Sequence, residues 1–147
     1  MVELNRNMHN LDDFFGSYFR VLYHLLKHID KKAGYHSFDF KEKQRYTSLV
    51  RSFLDNEITL LLSINCAHAK QDNQYYPYKI LIERYAFFEH LILDPEKFID
   101  YVRTNHRSAS SAYILVIQTE SDFHINLIAD IKKTYNETAF GNNEDLK

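Results

Sequence analysis

A chain of 147 residues with 45% apolar content can bury a core of its own, and one domain spanning 1–147 is the natural expectation. Its net charge of −2 provides no broad basic field, so RNA is unsupported as a partner. The lone Cys66 excludes an internal disulfide framework and fits a reducing compartment. No apolar run approaches the roughly 20 residues that span a bilayer, and Met1 to Asn10 is polar without a signal-peptide pattern, so a cytoplasmic protein with no membrane segment is expected.

Only 3 Gly and 2 Pro leave few forced turns, which favours an all-α fold of five or six helices. Residues 1–10 read as a frayed leader. Asn10 or Asp12 can cap a first helix reaching Lys32, in which Phe15, Phe19, Leu22, Leu26 and Ile29 step by four and three as a core-facing stripe. Asp39 suits an N-cap for a second helix over about 40–54, with Phe40, Tyr46, Leu49, Val50 and Phe53 inward. Asp55 or Asn56 restarts the chain as a third helix over about 57–68. Its apolar surface runs nearly all round, which marks it as the central buried element.

Pro77 opens a fourth helix expected to run to about Leu93. Asp94-Pro95-Glu96 is a helix-start signature for a short element ending near His106. The run Tyr113 to Thr119 is β-branched, but a strand without a partner is unstable, so helix or extended packing is the expectation there. Ser121-Asp122 caps a last helix to about Phe140, followed by a frayed polar tail over 141–147.

Charged and amide side chains inside apolar runs must be paired or form a site. Arg20 and His24 share one helical face beside Tyr23 and Lys27, a titratable basic cluster able to hold a phosphate or move a proton, or else an exposed helix face. Arg51 and Glu57 flank the break between the second and third helices, where a buried ion pair is expected, and Asn65 lies eight residues beyond Glu57 on roughly the same face. Arg84 and His90 fit the R-x4-6-H spacing of HEPN ribonucleases, although with 7 Arg and 8 His about one chance match is expected. Continued as a helix, that spacing turns the two side chains apart. His24 and His28 form at most half a metal site, so no metal and no cofactor is expected. The aromatic load predicts self-association through a patch drawn from Tyr75, Tyr76, Tyr78, Phe87 and Phe88.

Three blocks occur in order: Tyr18-Phe19-Arg20 with Leu22, Tyr23, Lys27 and Ile29; Tyr46 with Leu49, Arg51, Leu54, Glu57, Leu60, Leu61 and Asn65; and Lys79 with Leu81-Ile82-Glu83-Arg84-Tyr85-Ala86 and Phe88. Over about residues 14–91 the chain resembles the phage abortive-infection proteins of the AbiC-like group. The resemblance implies a bacterial anti-phage role in which the infected cell shuts down before progeny form. Many members carry hydrophobic N-terminal segments ahead of this region, so the resemblance implies a soluble variant or the cytoplasmic module alone. The candidate active surface comprises Arg20, His24, Arg51, Glu57 and Asn65. An RNA-cleaving enzyme using Arg84 and His90, and a non-enzymatic module that homo-oligomerises or binds a phage or host protein, are the alternatives.

Overall fold

Helix α1 (Asp12–Lys31) follows its apolar periodicity: Phe19, Leu22, Leu26 and Ile29 are all buried along one side. The computed structural model describes residues 12–31, 39–67, 75–94, 96–98, 100, 104 and 121–146, and among them every regular element is helical, with no strand. The fold is all-α. The β-branched run at 113–119 lies outside the described residues.

Helix α2 (Phe40–Arg51) starts at a capping box. The Glu42 N–H donates to Asp39 Oδ1 at 2.7 Å, and the Asp39 N–H donates to Glu42 Oε2 at 3.2 Å. Its inward face is not the apolar one expected. Thr47 (1% exposed) and Arg51 point inward, Val50 is half-buried, and Phe40, Tyr46, Leu49 and Phe53 face solvent. The inner line of Lys43, Thr47 and Arg51, each four residues apart, is fixed by polar partners. Lys43 Nζ donates to the Asp30 carbonyl at 2.6 Å, and the Thr47 hydroxyl donates to the Lys43 carbonyl at 2.9 Å.

Asp55 caps α3 (Asn56–Cys66), accepting from the Ile58 N–H at 2.7 Å. This helix is enclosed as expected: Leu62, Ser63, Ile64 and Cys66 are buried, and Ile58, Leu60 and Leu61 pack half-buried against the core.

Helix α4 (Tyr76–Arg84), with Pro77 in its first turn, stops well short of Leu93. Ala86 adopts φ 50°, a left-handed conformation uncommon for a residue with a Cβ, and the chain closes into turns over 85–90. The turn lets the consecutive Phe87 and Phe88 both bury completely, which a continuing helix would oppose by pointing them about 100° apart. Their burial, with that of Tyr78, removes these three from the expected surface patch. Farther on, Asp94 acts as the cap the sequence indicates, its carboxylate accepting from the Glu96 N–H at 2.9 Å.

Helix α5 (Ser121–Thr134) also ends early, because α4 takes over its C-terminus. Lys79 Nζ donates to the Thr134 carbonyl at 2.8 Å, while Glu83 accepts from both the backbone N–H and the side-chain amide of Asn136. Two 3₁₀ turns follow, Glu137–Phe140 and Glu144–Leu146. The segment 141–146 is docked, not frayed. Asn143 is buried and donates its amide to the carbonyls of Phe88 and Leu91 at 2.8 Å each, and Asp145 accepts from the N–H groups of Leu93 and Asp94.

Gly141 makes this docking fit. It sits at φ 51°, ψ −120°, and a Cβ built there would lie 2.8 Å from the Ala86 Cβ. Gly141→Ala should therefore cost about 1–3 kcal/mol, read in urea unfolding as a lowered midpoint at unchanged slope.

Candidate functional site

Arg51, at the end of α2, reaches across to the turn after α4. Its Nη1 donates to the Ala86 carbonyl at 2.6 Å, and its Nη2 pairs with Glu89 Oε2 at 2.6 Å. The side chains are 10% and 22% exposed, so both charges are largely removed from water. The partner is Glu89, not the expected Glu57. Glu57 is half-buried in the first turn of α3, where its charge complements the helix dipole. Asn65 is half-buried on the same helix and shares no hydrogen bond with Arg51. At the same junction Asn56 Oδ1 accepts from the Ile92 N–H at 2.8 Å, so α3 is tied to the stretch beyond the turn.

A second polar node centres on Asp30 near the end of α1. Its Oδ1 accepts from Arg84 Nη1 and from the Tyr85 hydroxyl, both at 2.7 Å. Partial burial pulls the Asp30 pKa up, but the hydrogen bonds from Tyr85 and Arg84 and the nearby cations outweigh it and hold the carboxyl below its ordinary value. Burial and the same carboxylate push the Tyr85 phenol up to about 12. Phe40 stacks on the Tyr85 ring at 6.0 Å between centroids.

Arg84 is thus committed to Asp30. His90 is exposed and lines an open groove of about 450 Å³ with Glu89, Lys97, Asn142 and Asp145, and Arg84 does not line it. The helix ends between the two, so the wheel argument for their divergence does not apply. Turns over 85–90 lie between them, and their neighbours differ, Asp30 for Arg84 and the groove residues for His90.

Other reactive side chains are chemically quiet. Burial pushes the Cys66 thiol and the Tyr78 phenol far up, so neither ionises near neutral pH. Among the described residues no group of three or more His, Cys, Asp or Glu gathers to hold a metal. Arg20 and His24 stay on the solvent side of α1. The His24 ring tilts against Tyr23 at 5.4 Å, Lys27 Nζ lies over the Tyr23 ring at 5.4 Å, and Tyr23 packs on Tyr78.

Most of the large apolar side chains left exposed among the described residues belong to α1, to α2 or to the residues just after α2. Tyr18, Val21 (68% exposed) and Leu25 on α1 face solvent, as do Tyr46, Leu49 and Phe53 (79% exposed) on and just after α2. The expectation of inward packing hid this set. The clue in the sequence was the line Lys43-Thr47-Arg51, three polar residues at helical spacing.

The family model for putative phage abortive infection proteins matches residues 11–96, more than half of the chain, which takes in α1 to α4 with both polar nodes. The chain belongs to this family. No curated protein and no solved structure matches it. The docked segment at 141–146 falls outside the stretch shared with the abortive-infection family. Among the described residues no helix is long and apolar enough to cross a membrane.

Removing one partner of the Arg51–Glu89 pair strands the other. Arg51→Met should cost about 2–4 kcal/mol, and the double replacement Arg51→Met/Glu89→Met should recover much of it, a coupling that a denaturation double-mutant cycle reads directly. Asp30 and Asp145 both have lowered folded-state pKa values, Asp145 because hydrogen bonds from Lys97, Leu93 and Asp94 outweigh its partial burial. The unfolded chain therefore binds more protons than the folded one just below the ordinary carboxylate pKa. Their stabilisation is present above that pKa of about 4 and is lost as pH falls through the folded values. Asp30→Asn should lower stability at pH 7 and flatten the acid limb of a stability–pH profile.

Proposed function

We propose that this is a bacterial anti-phage defence protein acting by abortive infection, and that it works as a non-enzymatic module recognising another macromolecule through the outer face of α1 and α2. The observation that carries this reading is α2 turned inside out, with its polar line spent on the fold and its aromatic and aliphatic residues exposed. Contiguous exposed apolar surface is costly to keep and marks interaction sites. Arg20 and His24 border that face on α1 and act there as recognition groups. The polar groups that sequence reasoning singled out for catalysis are engaged in structure-holding bonds at Arg51 and Arg84, which supports binding over chemistry.

In bacteria expressing the chain and challenged with phage, Leu49→Asp and Phe53→Asp should abolish protection while thermal unfolding stays near the parent, since both sites are solvent-exposed. His90→Ala should leave protection intact. Full protection by both aspartate variants would sink this reading. So would loss of protection in His90→Ala together with RNA cleavage by the purified parent.

A further inference from the structure

On α1, the exposed Tyr18, Val21 and Leu25 each stand one position before a buried residue, namely Phe19, Leu22 and Leu26. On α2, Tyr46 stands one position before the buried Thr47, and Leu49 and Phe53 stand two positions after Thr47 and Arg51, which carries them about 160° round in the same sense, while Val50 packs half-buried against the core. One position is about 100° of helix, so both stripes are rotated in the same sense from their inner faces. The helices run antiparallel. Lys43, near the start of α2, bonds Asp30 near the end of α1, and the two helices pack against one another. Antiparallel neighbours with the same rotation turn their stripes either to a shared seam or to opposite edges. Tyr23 and Asp30, on the other flank of α1, meet Tyr78, Arg84 and Tyr85, which leaves the flank of Tyr18, Val21 and Leu25 to α2 and makes the seam a shared one.

Basic groups rim the seam. Arg20, His24 and Lys31 lie farther round α1, and Lys41 and Arg45 lie farther round α2, all exposed. The acids near this face are held by hydrogen bonds within the fold, Asp39 and Glu42 in the capping box, Asp55 in the cap of α3, and Asp30 with Arg84 and Tyr85. Among the described residues no ion pair neutralises Arg20, Lys31, Lys41 or Arg45.

We infer that the seam between α1 and α2 takes an amphipathic helix of a partner protein, apolar on one side and carrying Asp or Glu along both edges. This rests on the interaction-module reading above and names its partner's chemistry. Each exposed stripe covers about seven residues, or roughly 10 Å of helix axis, which matches two to three turns of a ligand helix anchored at i, i+3 or i+4, and i+7. Charge complementarity selects the ligand, because acidic edges meet cations on both rims. A second copy of this face would set basic rim against basic rim, and a lipid surface would meet the rims before the apolar floor.

The test uses the full chain and three labelled synthetic peptides of about 18 residues: one with Leu anchors and Glu edges, one with Lys edges, and a scramble of the first. Fluorescence anisotropy should show the Glu peptide binding at least about tenfold tighter than the Lys peptide, with a preference that shrinks in high salt. Leu49→Asp should weaken it about tenfold, and Arg45→Glu should shift preference towards the Lys peptide, with both variants shown folded by thermal unfolding. Equal binding of the Glu and Lys peptides, or none up to about millimolar, overturns the inference. Binding to phosphatidylglycerol vesicles in place of the peptide, or a dimer by light scattering that Leu49→Asp dissolves, overturns it too. If phage protection depends on Leu49 while the Glu peptide fails to bind, this inference falls and the interaction-module reading stands. If the peptide binds but protection ignores Leu49, the functional reading falls instead.

Discussion

The guanidinium of Arg51 spans from α2 to the turn after α4, holding Glu89 through one nitrogen and the Ala86 carbonyl through the other. Two largely desolvated charges and a fixed planar fork make this contact directional in a way that apolar packing is not. Because Arg51 must point inward, so must Thr47 and Lys43 on the same helical line. The apolar residues of α2 are thereby carried to the outside. Its inverted face follows from one ion pair and the geometry of 3.6 residues per turn.

The turn that Arg51 holds is itself a junction. Ala86 keeps its left-handed backbone conformation because it is bonded from α2 through its carbonyl and covered by Gly141 from the C-terminal segment. The Phe88 N–H finds the Ala139 carbonyl at 2.8 Å, and Asn143 satisfies the carbonyls of Phe88 and Leu91. Backbone groups that a helix would have paired internally are paired instead by the tail, and two phenylalanines are buried as a result.

In this abortive-infection family member, polar side chains hold the helices together while apolar ones stand outside. Polar groups inside the fold orient the helices, with Asp30, Arg84 and Tyr85 at one end of the α1–α2 pair and Arg51 with Glu89 at the other. Apolar groups outside them stay exposed at a cost in solvation. That is the reverse of the usual division between an apolar interior and a polar surface.

By itself the sequence determined the helical class, the stripe of Phe19, Leu22, Leu26 and Ile29, the caps at Asp39, Asp55 and Asp94, and the enclosure of α3. These are local matters, set by spacing within a few turns and by hydrogen bonds to the next residues. Partner choice for Arg51 was decided only in three dimensions. Glu57 is six residues away along the chain and Glu89 thirty-eight, yet Glu89 stands where the guanidinium arrives. The same holds for the early ends of α4 and α5 and for the docked tail, each of which depends on side chains from another element bonding a terminal backbone group. Which face of α2 turns inward was likewise open to periodicity, because that helix carries two competing lines. The polar one won because only it had partners waiting for it across the fold.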